Sequence, residues 1–250
     1  MNIIAKIIHL TEDAATKGAS VRPSENYFKR KNFLITDTIP KLKSINMDVS
    51  FFDAIVYTDL VFDRNYEGKT HNPKKSIEYK NKLYLIDNPF LTAYELALYL
   101  GHYALWNECV TDNKSMLILE DDVMIEEKDK NNISLSIENF EKYIKEPAIL
   151  YLQSTNPCTV NPKIKLKSYP QEKMYKTNLL YKIHNNHADW SGTAAYYINA
   201  LGASKLIERS NNVGAKCSDG FIHRAIQENY INVYISENYN NTILLHPEYS

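Results

Sequence analysis

The chain has 250 residues and a formal net charge of −1, and 44% of its residues are hydrophobic. This length accommodates one large α/β domain, or one and a half ordinary ones, with a substantial buried core. The near-zero charge gives no global field, so neither polyanion binding nor adaptation to high salt is indicated.

The cysteines and the amino-terminal segment indicate the compartment. The three cysteines are odd in number and lack metal-ligand spacing, which favours a reducing environment. Met1–Leu10 is an apolar run interrupted by Lys6, without a basic leading region or a cleavage site, so it predicts a strand rather than a signal peptide. No apolar run reaches the length of a membrane span. We expect a cytoplasmic protein that is soluble, or at most peripheral at the inner face of the membrane.

Hydrophobic patterns predict alternating helices and strands along the first half of the chain. In order they are strand Ile3–Leu10, a helix from Glu25 capped by Ser24, helix Thr38–Ile45, strand Val49–Tyr57, exposed loop Arg64–Lys82 and helix Thr92–Cys109. Phe28 in the first helix is expected to point inward. Asp53 interrupts an apolar strand, which is costly unless the carboxylate is paired or functional.

The second half continues this alternation around one long irregular segment. The predicted elements are strand Met116–Leu119, helix Ile133–Lys145 opened by Asn132, strand Ala148–Gln153, loop Asn156–Asn178, strand Leu179–Ile183, helix Ala200–Arg209, helix Ser218–Glu228 and strand Ile231–Ile235. The loop contains three prolines and scattered lysines. A segment this long inside a compact domain is typical of a functional flap.

The helix Thr92–Cys109 is the clearest element of the sequence. Thr92 and Glu95 have the spacing of a capping box, and apolar residues recur along one helical face. His102 lies inside this helix, where a satisfied structural histidine is the commoner role and a ligand is the alternative.

The stretch Met116–Ile125 carries the strongest chemical signal. Four apolar residues run directly into Glu120, Asp121 and Asp122, as in a buried strand that ends at a ligand site. Three adjacent carboxylates repel one another and lose solvation, so they require a cation or hydrogen-bond donors. Mn²⁺ or Mg²⁺ carrying a diphosphate would supply that compensation, because hard cations prefer oxygen ligands.

The acidic triplet has two other interpretations. A solvated acidic turn remains open, because charge runs commonly face water. A receiver-type phosphoacceptor pocket is excluded, because it needs the acidic pair on the first strand and an Asp on a later one. Here the triplet is mid-chain, and the following strand Ala148–Gln153 has no Asp.

Several familiar chemistries are absent from the sequence. It contains no Gly-rich dinucleotide fingerprint, phosphate loop, His-Glu-x-x-His motif or nucleophile elbow. Basic residues are scattered rather than clustered, so no nucleic-acid partner is expected. Beyond the triplet, the remaining polar candidates are Asp53, Asp189, Asp219 and His246.

Several segments together resemble glycosyltransferase family 25, which includes bacterial lipooligosaccharide galactosyltransferases and collagen-modifying enzymes. The segments are Phe52–Ala54, Leu91–Glu95, Gly101–Trp106, Leu117–Asp122, Gly192–Tyr196, Gly202–Leu206 and Asp219. Arg22 comes later than the arginine of the family's amino-terminal signature, which leaves the base and ribose contacts open. Gly101 stands where the family usually has serine.

The resemblance implies a GT-A-like nucleotide-diphospho-sugar transferase fold, with a central, mostly parallel sheet flanked by helices. It implies a single domain over residues 1–250, with a donor-binding part to about 125 and an acceptor-binding part from about 126. The implied reaction is inverting transfer of galactose, or otherwise glucose, from its UDP-sugar to a lipid-borne lipooligosaccharide or another cell-surface glycan.

The resemblance also implies a donor and metal site. Asp122 would bind Mn²⁺ or Mg²⁺ directly, Glu120 would approach the ribose or reach the metal through water, and His246 would complete the metal site. A plain surface role is the alternative for His246. The implied donor contacts are His9, Thr11, Asp53, Ala54, Glu120 and Asp121. Asp53 has a loop-holding role as its alternative.

Inversion requires a carboxylate that takes the proton of the acceptor hydroxyl. Asp219 is the preferred base, with a helix-dipole or helix-capping role as its alternative. Asp189 is the second candidate, beside Trp190, whose ring could stack on an acceptor sugar or pack in the core. Gly192 and Thr193 are expected to bring the backbone close to the acceptor.

Two other functions share some of these features. A sugar nucleotidyltransferase would use similar metal carboxylates, but its usual amino-terminal Gly-rich, Lys/Arg-containing loop is absent. A non-catalytic sugar-binding module is the other alternative, and the intact Glu120, Asp121 and Asp122 argue against it.

Overall fold

A computed structural model describes most of the chain. It covers residues 3–16, 24–62, 76–80, 82–86, 91–153, 174–177, 180–183, 192–236 and 243–246. Asp189 and Trp190 lie outside these residues. So does most of the predicted flap Asn156–Asn178, of which Met174–Thr177 is described and forms a strand.

Strands and helices alternate through the described residues. The strands are β1 (Ile3–His9), β2 (Met47–Asp53), β3 (Val61–Phe62), β4 (Ser76–Tyr79), β5 (Lys82–Leu85), β6 (Met116–Glu120), β7 (Val123–Ile125), β8 (Ala148–Tyr151), β9 (Met174–Thr177), β10 (Leu180–Ile183), β11 (Ala195–Ile198), β12 (Asn232–Ser236) and β13 (Ile243–Leu245). The helices are α1 (Glu12–Thr16), α2 (Ser24–Phe33), α3 (Ile39–Ser44), α4 (Ala93–Asp112), α5 (Lys130–Tyr143), α6 (Ala200–Val213) and α7 (Ser218–Gln227). A π-helical turn, Leu34–Thr38, joins α2 to α3, and a 3₁₀ turn, Tyr57–Asp59, follows β2.

Eight strands form the central sheet in the order β2-β1-β6-β11-β8-β12-β10-β9. β1 is parallel to both β2 and β6, and β8 is parallel to β12. β11 and β10 run antiparallel to both of their neighbours, so six strands point one way and two the other. The expected fold class, α/β with a central, mostly parallel sheet flanked by helices, is confirmed. Smaller sheets pair β3-β4-β5 and β7-β13.

Strand β6 lies at the centre of the core. Its residues alternate between two apolar layers: Ile118 faces the layer containing Trp106 of α4, and Leu117 and Leu119 face the layer containing Phe140 of α5. All of these side chains are buried. The uninterrupted apolar run in the sequence therefore reflects a strand that is covered on both faces.

Helix α4 forms as its sequence predicts. Thr92 is the N-cap, its hydroxyl accepts from the Glu95 backbone, and the Glu95 carboxylate accepts from the Thr92 backbone. This reciprocal pair is the predicted capping box. The helix ends at Asn113, which adopts the left-handed conformation with φ of 50°.

Three local predictions need correction. Helix α5 begins at Lys130 rather than after Asn132. Ser76–Tyr79, predicted within an exposed loop, is a strand because it pairs on both sides with β3 and β5. Phe28 is 45% exposed rather than inward, because Tyr27 takes the buried position of α2.

None of the helices among the described residues combines the length and apolar character needed to span a bilayer.

Candidate active site

The carboxyl ends of three parallel strands meet at one edge of the sheet. In the strand register, His9 lies opposite Asp53, and Ile8 lies opposite Glu120. Because β11 runs the other way, its amino end also reaches this edge and places Thr193 beside the acidic triplet. The topology thus brings the predicted donor, metal and acceptor residues of the described chain to one place.

Asp121 is held by two protein groups. Its Oδ1 accepts from Nη1 of Arg30 at 2.5 Å, and its Oδ2 lies 2.9 Å from Nδ1 of His9. The His9 ring is buried and stacks on Tyr27, with ring centroids 4.8 Å apart. In this structure Asp121 therefore fastens α2 to the ends of β1 and β6, and its contact with a donor stays a prediction.

Glu120 is bound from the side of β11. Its Oε1 accepts a 2.8 Å hydrogen bond from the Thr193 hydroxyl, and its backbone N–H donates to the Ala194 carbonyl at 2.8 Å. Nε2 of His102 lies 3.5 Å from the same Oε1. The Glu120 carboxylate is thus oriented by the neutral Thr193 hydroxyl, and these contacts include no Lys or Arg side chain.

Asp122 lacks such compensation. Its Oδ1 is buried and has no hydrogen-bond partner among the described residues. Burial raises the pKa of Asp122 to about 7, and the negative charges of Glu120 and Asp121 add to this, while Arg30 opposes it. A buried carboxylate oxygen without a donor suits an oxygen-preferring cation, so the residues present fit the implied Mn²⁺ or Mg²⁺ at this point.

The protein alone does not complete a metal site here. Within the described part of the chain, no three His, Cys, Asp or Glu side chains converge on one point. His246 approaches Asp122 through its backbone N–H, which donates to the Asp122 carbonyl at 2.7 Å, while its ring packs edge-on against Phe33. A cation at Asp122 would need further oxygen ligands, such as those of a diphosphate. The metal and the role of the His246 ring stay predictions.

Asp219, the preferred base, is exposed in the first turn of α7. Its Oδ1 lies 3.4 Å from the hydroxyls of both Thr193 and Ser218. The N-cap of α7 is Cys217, without a side-chain capping bond, so Asp219 is not the cap. The helix dipole still favours a carboxylate in this turn. The base candidate thus lies one hydroxyl away from Glu120.

Gly192 is required by its conformation and its neighbour. Its φ is 101°, and a Cβ there would lie 2.6 Å from the Gln153 side-chain amide. Gln153 is buried, and its Oε1 accepts from the Ala194 backbone at 3.0 Å. The segment before β11 is therefore closely packed, and the Thr193 side chain within it is only 4% exposed.

Two adjoining cavities open at this edge. The first, about 220 Å³, is bordered by the acidic triplet, His9, Arg30, Ala54 and the tyrosines Tyr57 and Tyr94. The second, about 520 Å³, is lined in part by Thr11 and Asp53 and shares Ala54 with the first. All six predicted donor residues line one or both cavities.

Arg30 and Gln153 were not predicted from the sequence. Arg30 comes from α2 and Gln153 from the residues after β8, far along the chain from the groups they bind. The only signal was indirect, because three adjacent carboxylates require a positive partner. Nothing in the sequence near the triplet indicates which residue supplies it.

A central sheet with carboxylates and cavities at the ends of its parallel strands is the arrangement in which open α/β sheets bind ligands. The family described as glycosyltransferase family 25 (LPS biosynthesis protein) matches residues 25–222. The chain therefore belongs to glycosyltransferase family 25, as the sequence segments predicted.

Solved structures with a similar backbone arrangement have low sequence identity to this chain. One is apo UDP-glucose pyrophosphorylase, with a TM-score of 0.39, 10% identity and coverage of 94% of this chain and 73% of that chain. Another is the galactosyltransferase LgtC in complex with donor and acceptor sugar analogs, with a TM-score of 0.30, 10% identity and coverage of 93% and 73%. No curated protein matches the sequence.

The raised pKa of Asp122 predicts that Asp122→Asn increases the free energy of unfolding, by an amount that depends on pH. Between the ordinary value of 3.8 and about 7, the unfolded chain ionises this carboxyl while the folded protein keeps it protonated. Ionisation therefore costs folded stability as pH rises, and asparagine removes that cost. We expect the gain in unfolding free energy to reach at most about 4 kcal/mol above pH ~7 and to be smaller at pH ~5. Urea denaturation at both pH values measures it, and exposed Asp48→Asn is the control. An equal gain at both pH values would show that burial does not raise the pKa of the Asp122 carboxyl.

Gly192→Ala is expected to lower the unfolding free energy by about 1–3 kcal/mol, because alanine disfavours positive φ and its Cβ meets Gln153. The matched control is Gly101→Ala inside α4, where a Cβ has no neighbour nearer than 3.8 Å. That change should be neutral or stabilising by up to about 1 kcal/mol. Denaturant unfolding of both variants tests the difference. Equal changes in unfolding free energy for the two variants would rule out close packing at Gly192.

Proposed function

We propose that this family 25 member is a metal-dependent, inverting hexosyltransferase that transfers galactose, or otherwise glucose, from a UDP-sugar to a lipid-borne glycan. Lipooligosaccharide is the preferred acceptor, in keeping with the family's description as LPS biosynthesis proteins. The observation that carries the proposal is the buried, partnerless Oδ1 of Asp122 beside a cavity at the carboxyl ends of parallel strands.

The cavity beside the triplet suits a nucleotide diphosphate. Tyr57 and Tyr94, with ring centroids 4.3 Å apart, provide an apolar aromatic surface on which a uracil could pack. The carboxylates lie at the border of the same cavity, where the diphosphate and its cation would be held. Ala54 is fixed to the end of β1 by a 2.9 Å hydrogen bond from its N–H to the His9 carbonyl, so this wall is rigid.

Asp122 would hold Mn²⁺ or Mg²⁺, with Glu120 and His246 as further candidate ligands. When bound, the cation would stabilise the negative charge that develops on the departing UDP. The chain's own contribution is to set the charges around that position. Arg30 neutralises Asp121, so the charge presented to the ligand comes from Glu120 and, once it ionises, from Asp122.

Asp219 would accept the proton of the acceptor hydroxyl. It is exposed and can meet an acceptor, whereas Thr193 is buried with its hydroxyl bound to Glu120. An acceptor contact by Gly192 or Thr193 would therefore use the backbone. Asp189 is the alternative base and Trp190 the proposed stacking residue, and both lie outside the described residues.

The proposed location is the cytoplasm, with a peripheral contact at the inner face of the membrane where a lipid-borne acceptor would be met. Cys109 and Cys217 are free thiols in the structure, in keeping with a reducing compartment.

The transfer is tested by UDP release from UDP-galactose and UDP-glucose, with a lipooligosaccharide acceptor and with or without Mn²⁺. We expect release by the wild type only with metal, loss of release in Asp122→Asn, and normal release in the exposed-site control Asp48→Asn. Wild-type turnover by Asp122→Asn would remove the metal assignment. Formation of a UDP-sugar from UTP and a sugar phosphate would instead identify a nucleotidyltransferase, and sugar binding without turnover a binding module.

Asp219→Asn is expected to lower kcat by about 10²–10⁴ while UDP binding is kept, because it removes the proton acceptor but no donor contact. Steady-state kinetics and calorimetric UDP titration measure the two effects. If Asp189→Asn shows this phenotype and Asp219→Asn does not, Asp189 is the base.

A further inference from the structure

A chain of three buried polar side chains lies directly behind Glu120. The Trp106 indole N–H donates to the Tyr196 hydroxyl at 2.9 Å, and that hydroxyl lies 2.9 Å from Nδ1 of His102. All three residues are at most 1% exposed. On its far side, Nε2 of the His102 ring lies 3.5 Å from Oε1 of Glu120, too far for a hydrogen bond, and it has no other hydrogen-bond partner among the described residues.

Counting hydrogens along this chain fixes the tautomer of His102. An indole nitrogen only donates, so the Tyr196 oxygen is the acceptor from Trp106. The Tyr196 hydroxyl hydrogen then has one acceptor among the described residues, Nδ1 of His102. A ring with hydrogen on both nitrogens would leave the Tyr196 hydroxyl hydrogen without an acceptor, so the hydrogen count assigns His102 a single hydrogen, on Nε2.

The tautomer with hydrogen on Nδ1 is unfavourable at both ends of this row of side chains. With hydrogen on Nδ1, the Tyr196 hydroxyl would be buried without an acceptor, which costs about 1–3 kcal/mol. The Nε2 lone pair would also face the Glu120 carboxylate, and the two would repel. Burial raises the pKa of Tyr196 well above its ordinary value, which keeps the hydroxyl hydrogen in place.

This arrangement assigns different tasks to the two oxygens of Glu120. Oε1 accepts from Thr193 and faces Nε2–H of His102. Among the described residues no group bonds Oε2, so that oxygen remains for a ligand. Since a neutral imidazole orients the carboxylate without cancelling its charge, Glu120 differs from Asp121, which Arg30 neutralises.

We infer that His102 is a positioning residue: Trp106 and Tyr196 lock it with hydrogen on Nε2, and it holds Oε1 of Glu120 so that Oε2 is presented to the donor. The inference rests on the proposed function for the identity of the donor, but the locked tautomer does not depend on it. His102 is fully buried and lines neither of the two cavities, so its proposed action is through Glu120.

Two substitutions of His102 separate its role as a donor facing Glu120 from its role as an acceptor for Tyr196. His102→Gln places an amide N–H₂ near the position of Nε2 and keeps the donor to Glu120. His102→Asn keeps an acceptor near the position of Nδ1 for Tyr196 but is too short to reach Glu120. Both remove the ring, but asparagine also removes one more methylene, so thermal unfolding measures the difference in packing before the affinities are compared.

We expect His102→Asn to raise the donor KM and the Kd for UDP by about tenfold, with a smaller change in kcat. This is the low end of the effect of losing a hydrogen bond to a charged group, because the N–H of His102 faces the Glu120 carboxylate at a longer distance than a formed hydrogen bond. His102→Gln should stay within about threefold of the wild type in both constants. If glutamine loses as much affinity as asparagine at matched stability, the role is only structural and the inference is overturned.

Nitrogen-15 NMR of the histidine rings in the wild-type protein gives a second test that needs neither donor nor turnover. We expect His102 to carry hydrogen on Nε2, and Tyr196→Phe to release the lock and populate the other tautomer. Hydrogen on Nδ1 in the wild type would overturn the inference even if the enzyme is active. Hydrogen on Nε2 in a protein that transfers no sugar would refute the proposed function and leave the locked tautomer standing.

Discussion

Three consecutive carboxyl groups stand at the end of one buried strand, and the rest of the site depends on which protein groups compensate the charge of each. Asp121 has a cation in Arg30, Glu120 has the neutral donor Thr193, and Oδ1 of Asp122 has no partner among the described residues. Because the compensation is unequal, the three adjacent residues differ chemically. Asp121 joins α2 to the strand ends, Glu120 is oriented by a hydroxyl, and Asp122 is a buried carboxyl with one oxygen that no described group binds. Such an uncompensated group lowers stability, as functional sites commonly do.

The sheet topology produces this inequality. β6 is flanked by parallel β1 on one side and by antiparallel β11 on the other, so opposite strand ends meet at the same edge. The β1 side brings His9 and, through α2, Arg30. The β11 side brings neutral groups and the first turn of α7, with the exposed Asp219. The cavity bordered by His9 and Arg30 and the candidate base Asp219 consequently lie on opposite sides of the strand that ends in the triplet.

Features encoded within a short stretch were predictable from the sequence. The capping box of α4 and the apolar run into the triplet follow from neighbouring residues, and both form as predicted. Features that depend on tertiary packing were not. The contact of Arg30 with Asp121 spans 91 residues, and the strand Ser76–Tyr79 exists because β3 and β5 pair with it. The inward position in α2 went to Tyr27 because the His9 ring is there to stack on it.

The depth of the pair between Arg30 and Asp121 has a consequence for solution conditions. Only 10% and 19% of the two side chains are accessible, so mobile ions reach the pair poorly. Charges on the open surface are screened within about 8 Å at physiological ionic strength, whereas largely buried ones are screened much less. The uneven charge distribution at the strand end should thus persist at high salt concentration. Attraction between the protein surface and distant ions is already screened under those conditions.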